Sequence, residues 1–154
     1  MLWKKSKRRA KPTLQFELVA SKTLEAAFRA TTYRVSTSGG VFDLRIGRRN
    51  PAFDAFLRQQ GAATWCIVTA CNPGGKRSDN ENPMRQERLD RYVAGHDWPT
   101  FAACNIADDS SWPDEPGYLL LQVSAEDAKK LLVEFSQAAC VYGEVGSAPR
   151  LVWG

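Results

Sequence analysis

The sequence has little of what usually announces a ready-made chemistry. It has one histidine, His96. A Ser–His mechanism or a histidine-rich metal site would therefore rest on that residue alone. Its four cysteines, Cys66, Cys71, Cys104 and Cys140, form no C-x-x-C pair and adjoin no histidine. That excludes zinc-finger spacing and fits reduced, mostly buried thiols of a cytoplasmic protein. No apolar run approaches the roughly 20 residues of a membrane-spanning helix. Gln15 and Glu17 interrupt the run that would have to follow a signal-peptide start. There is no internal repeat, and the G-x-x-x-x-G-K-[ST] spacing of a phosphate-binding loop is missing. Nothing in the sequence calls for a cofactor or a metal.

What is present is the composition of an ordinary globular domain. With 154 residues, 44% hydrophobic and 25% charged, the chain is long enough to bury one core without disulfide or metal staples. The net charge of +4 is unevenly placed. Six of the 21 basic residues (Lys4, Lys5, Lys7, Arg8, Arg9 and Lys11) lie in the first twelve positions, with no acid among them. The remaining 15 face all 17 acids, so the body carries −2. The sequence thus divides into a basic tail, residues 1–12, expected to be disordered, and one globular domain, residues 13–154. The tail is a candidate contact for nucleic acid, RNA or DNA, or for anionic lipid.

Periodicity orders the body. Leu24, Ala27, Phe28 and Thr31 predict a helix over Lys22–Thr32. Tyr33–Thr37 and Val41–Ile46 alternate around Ser38-Gly39-Gly40 as a hairpin. Asn50-Pro51 opens a short helix that Gly61 ends. Thr64–Ala70 is an almost unbroken apolar, β-branched run, predicted to be a central strand buried on both faces. A polar loop follows, then a helix to about Gly95 and a strand at Thr100–Ile106. Tyr118–Val123 is a strand, and Ser124 caps a helix over Ala125–Ala138. Cys140–Val145 and Arg150–Trp153 close the chain as a second hairpin. The expected class is α+β: a single domain with a mixed β-sheet, about four helices and hairpins at both ends.

The segment from Thr69 to Arg85 holds the most information. It leaves a buried strand and enters a helix, a place where sheets commonly bind ligands. Ser78 and Glu81 have capping-box spacing, with Asn80 as a rival cap. Gly74-Gly75 permits close backbone approach, and Lys76, Arg77 and Arg85 are cations near a helix start, an arrangement suited to an anion.

The runs T-A-C-N-P (69–73), S-D-N-E-N (78–82), Arg85, Trp112-Pro113-Asp114-Glu115, Tyr118–Leu121 and Phe135–Ala138 with Val141-Tyr142-Gly143 resemble an uncharacterised bacterial family, a domain of unknown function with a T-A-x-N-P…E-N-x-x-R motif. The resemblance extends over about residues 27–152 and implies no activity. Cys71 stands where the family leads us to expect an aromatic residue, and Gly117 where it leads us to expect a small hydroxyl residue.

Three functional readings stay open at this point. The first is a pocket for a small anionic or phosphorylated ligand, with Thr69, Asn72, Lys76, Ser78, Asn82 and Arg85 binding. If the pocket is hydrolytic, Glu81 or Glu115 acts as general base. The second is nucleic-acid association through residues 1–12. The third is a non-catalytic interaction protein using Trp112 and Trp153. Arg85 is expected to end a buried network with Glu115. Gln137 reads as an amide bonded to backbone.

Overall fold

In the computed structural model residues 14–154 are described, with side chains from residue 22 onward. The basic segment 1–12 and its expected disorder lie outside the described residues.

The chain runs α1 (Leu14–Arg29), β1 (Thr31–Thr37), β2 (Gly40–Leu44), α2 (Pro51–Gln59), β3 (Thr64–Thr69), α3 (Asn82–Ala94), β4 (Thr100–Ala107), β5 (Glu115–Leu121), α4 (Ala125–Glu134), β6 (Ala139–Glu144) and β7 (Arg150–Trp153). Among the described residues, seven strands form one curled sheet in the order β2-β1-β4-β5-β3-β6-β7. The single α+β domain, its four helices and its two terminal hairpins are as expected. The expected mixed sheet is not: all six strand pairings are antiparallel. The reason is that β4 returns to pair with β1 on one side and β5 on the other, so each connection through α2, α3 or α4 joins strands that do not touch.

β3 lies between β5 and β6, away from either edge, and its alternation divides the core in two. Trp65 and Ile67 face a cluster built with Phe53, Phe56 and Leu57 of α2. Cys66 and Val68 face another, built with Leu89 and Val93 of α3 and Leu131 and Leu132 of α4. An apolar run without polar alternation is what a strand covered on both sides requires.

Two helix starts form as the sequence predicts. Asn50 Oδ1 accepts from the Phe53 amide at 3.0 Å with Pro51 in the first turn, and Ser124 Oγ accepts from the Asp127 amide at 3.0 Å. Two ends differ. α1 stops at Arg29 rather than Thr32, because β-branched Thr31 and Thr32 pair with Ala107 and Ile106 of β4. α4 stops at Glu134 rather than Ala138, since Ser136 takes φ 52°, which no helix continues through. Trp153 is not a free surface aromatic: it meets Phe28 of α1 edge-to-face at 6.0 Å.

Candidate functional site

The site forms where three strands present polar side chains on the face that also carries Trp65. Strand alternation puts Tyr33 of β1, Asn105 of β4 and Glu115 of β5 on one side, and register makes them neighbours: Tyr33 pairs with Asn105, and Asn105 with Glu115. This polar row crosses a sheet face that is mostly apolar. Just beyond the end of β3, Asn72 joins it. Its Nδ2 donates to Glu115 Oε1 at 2.6 Å, and the Trp112 indole Nε1 donates to the same oxygen at 3.0 Å. Glu115 Oε2 takes no hydrogen bond among the described residues. The Asn105 side-chain oxygen is buried and likewise without a partner.

These groups border a cavity of about 270 Å³. Leu24, Ala27 and Phe28 of α1 wall it on one side, and Ala107 and Ala138 on others. Ala30, Thr31, Thr69, Cys71, Asn72, Gly75, Asp109, Trp112, Gln137 and the polar row make up the rest of the described lining. Most of its donors are already engaged. The Tyr33 hydroxyl donates to Phe28 O at 3.0 Å, Thr69 Oγ1 to Pro116 O at 2.9 Å, and Gln137 Nε2 to Cys71 O at 3.0 Å. Gln137 is thus the backbone-bonded amide that the sequence suggested. Burial pushes the Tyr33 hydroxyl well above its usual range. The Cys71 thiol is also pushed up, by burial acting against a hydrogen bond with Thr69.

The loop that delivers Asn72 is held by amides. Asn72 is in the left-handed region, φ 49° and ψ 60°, which asparagine tolerates better than most residues. Its backbone N–H donates to Asn82 Oδ1 at 3.0 Å. Its own Oδ1 accepts from Asn82 Nδ2 at 3.0 Å and from the Ser78 amide at 2.8 Å. The two asparagines of the N-P and E-N runs therefore lock one another.

Of the residues read from the sequence, Thr69, Asn72 and Glu115 line the cavity. Asn82 and Ser78 stand behind it as supports of Asn72, Ser78 through its backbone. The capping box does not form: α3 begins at Asn82, Glu81 makes no side-chain cap, and Ser78 and Glu81 meet only through backbone. Asn82 is drawn instead to Asn72. Arg85 does not reach Glu115. Its Nη1 donates to Asn82 Oδ1 at 3.3 Å and its Nη2 pairs with Glu81, whose side chain is 65% exposed. Glu81, Arg85 and the exposed Lys76 are not in the cavity lining. An unbroken chain of hydrogen bonds nevertheless runs Glu115–Asn72–Asn82–Arg85–Glu81, from cavity to surface.

Tyr33, Asn105, Asp109 and Trp112 are cavity residues that the sequence reading did not place there. Asn105 carried a usable signal: it is the one polar side chain at a core-facing position of T-F-A-A-C-N-I-A. His96 lies elsewhere, stacked between the rings of Tyr92 and Trp98 at 4.6 and 4.3 Å. No group of three or more His, Cys, Asp or Glu among the described residues is placed to hold a metal. No helix among them is long and apolar enough to cross a membrane.

No curated protein and no solved structure matches the chain. From the end of β3 to the start of β6, residues 68–140 match the model of the family described as Protein of unknown function (DUF3293), a stretch that includes Asn72, Asn105, Trp112 and Glu115 and leaves Tyr33 and α1 outside it.

Proposed function

We propose that this protein binds a small molecule in the cavity between α1 and the polar row, with Glu115 as the polar anchor. One observation carries the reading. A half-buried carboxylate, oriented through one oxygen by Asn72 and Trp112, leaves its other oxygen unbonded by any described residue beside a mostly apolar space of about 270 Å³. Small-ligand sites have this make-up: apolar walls and a few convergent polar groups. Holding Glu115 by two donors costs entropy only once, in folding, so a ligand meets a preorganised partner.

If the site is hydrolytic, Glu115 is the carboxylate placed for general-base work, and Glu81 is at the surface. The anionic or phosphorylated ligand expected from Lys76 and Arg85 finds little support here, since neither cation lines the cavity. Melting of the full-length protein in the presence of a fragment collection tests the reading. At least one compound should raise Tm by a few degrees, as binding to the native state alone requires, and Ala107→Phe, which fills the cavity, should abolish the rise. Ligands that stabilise both proteins equally would count against it.

Nucleic-acid association through residues 1–12 rests on six cations in twelve residues. Replacing all six with Gln in the full chain should remove salt-dependent RNA or DNA binding if that segment carries it.

A further inference from the structure

The cavity's charge and hydrogen-bonding inventory is one-sided. Among its described lining residues are two carboxylates, Glu115 and Asp109, and no lysine, arginine or histidine. Glu115 forms no ion pair with any described residue; its two partners, Asn72 and Trp112, are neutral donors. The hydroxyl protons of Tyr33 and Thr69 go to backbone carbonyls, and the Gln137 amide serves backbone too. What is left over is mainly acceptor capacity, Glu115 Oε2 and the buried oxygen of Asn105, adjacent in register, with the Asn105 amide nitrogen as a donor beside them. A half-buried carboxylate without a counter-charge is costly, and aromatic rings of Phe28, Tyr33 and Trp112 border the same space. Such rings attract a cation over their faces.

From this we infer that the ligand is a small organic ammonium, a primary amine on an apolar body, whose N–H groups bond Glu115 Oε2 and Asn105 while its body lies against Leu24, Ala27 and Phe28. The inference rests on the small-molecule reading above and names the chemical class that site takes. The ammonium supplies the charge that no described residue brings to Glu115. A carboxylate or phosphate would meet Glu115 and Asp109 as like charges, and an alcohol would satisfy one acceptor without neutralising either.

Three probes with the same phenyl body test it: phenethylamine, 2-phenylethanol and 3-phenylpropanoate, each titrated into the full-length protein and followed by the Trp112 indole N–H resonance. The indole bonds Glu115 directly, so its shift reports occupancy of that carboxylate. Phenethylamine should shift the resonance and bind at least about tenfold tighter than the alcohol, with the carboxylate weaker still. Glu115→Gln should abolish that preference. The wild-type comparison needs no variant, so the inference stays testable even if Glu115→Gln does not fold. If the alcohol or the carboxylate binds as well as the amine, the ammonium class is wrong and the cavity reading survives. If none of the three moves the Trp112 resonance, the ammonium inference fails together with the placement of ligand beside Glu115.

Discussion

Asn72 and Glu115 lie 43 residues apart in sequence and are joined by a 2.6 Å hydrogen bond from the Asn72 amide nitrogen to Glu115 Oε1. Through it, the loop after β3 and the start of β5 become one structure. Asn72 is 3% exposed and uses both ends of its amide, so its removal orphans the Ser78 N–H and Asn82 Nδ2 as well as one donor to Glu115. Asn72→Ala should cost about 2–4 kcal/mol, from unpaired groups at about 1–3 kcal/mol and the left-handed backbone at about 1 kcal/mol. Urea melts check this; a loss under about 1 kcal/mol would mean that the loop re-forms without it.

Arg85 should behave differently, although it belongs to the same hydrogen-bond chain. Its ionic partner Glu81 is mostly in water, and exposed pairs are worth about 0.2–1 kcal/mol. Arg85→Ala should therefore lower stability by less than about 1 kcal/mol and leave phenethylamine binding intact. A larger loss would show that Arg85 holds the Asn72–Asn82 lock rather than decorating it.

Asn105 sets ligand binding against stability. Its side-chain oxygen is buried without a partner, and such a group costs about 1–3 kcal/mol. Asn105→Leu removes the polar atoms and adds apolar contact. The free protein should gain about 1 kcal/mol while losing its response to phenethylamine. A destabilised variant would mean that the amide is satisfied in solution.

Gly117 admits no side chain. A Cβ there would stand 2.1 Å from Val68 O and 3.0 Å from Val68 C, both backbone atoms of the paired strand. Relief requires β3 and β5 to part, so Gly117→Ala should cost about 3 kcal/mol or more, at the upper end of overpacking effects. The small hydroxyl residue expected at this position from the family resemblance would meet the same atoms. Denaturant midpoints of Gly117→Ala and wild type decide the matter.

Alkaline stability should be governed by buried thiols and, above about pH 10, also by the buried Tyr33 hydroxyl. Burial pushes the Cys140 thiol up from 9.0 to about 12 and the Cys66 thiol well above 9.0. A folded-state value above the unfolded one gives stability that is complete below about pH 9 and is lost as pH rises toward 12. The loss should amount to a few kcal/mol, and Cys140→Ala should flatten part of it. Guanidinium melts between pH 8 and 11 supply the profile; equal slopes for the two proteins would remove Cys140 from the account.

Local features could be read ahead of the fold because their causes are local. Asn50-Pro51 and Ser124 cap helices through bonds that span three residues. The Thr64–Ala70 run announces a doubly covered strand by hydrophobicity alone. The helix starting after Ser78 was misplaced for the opposite reason: Asn82, its first residue, is held by Asn72 from ten residues away, and no local rule weighs that partner against a capping box. The same limit applies to Arg85, whose choice between Glu81 and Glu115 depends on where β5 lies.

By itself, then, the sequence determined the α+β class, the two terminal hairpins and the buried β3, since periodicity and turn chemistry act over a few residues. Tertiary structure alone decided that β4 enters between β1 and β5. That insertion is what sets Tyr33, Asn105 and Glu115 in one row. It also decided that α1 closes over this row while Lys76 and Arg85 stay outside. A strand's neighbours are chosen by the whole set of faces to be buried, and the cavity exists only where three strands from distant parts of the chain share a register.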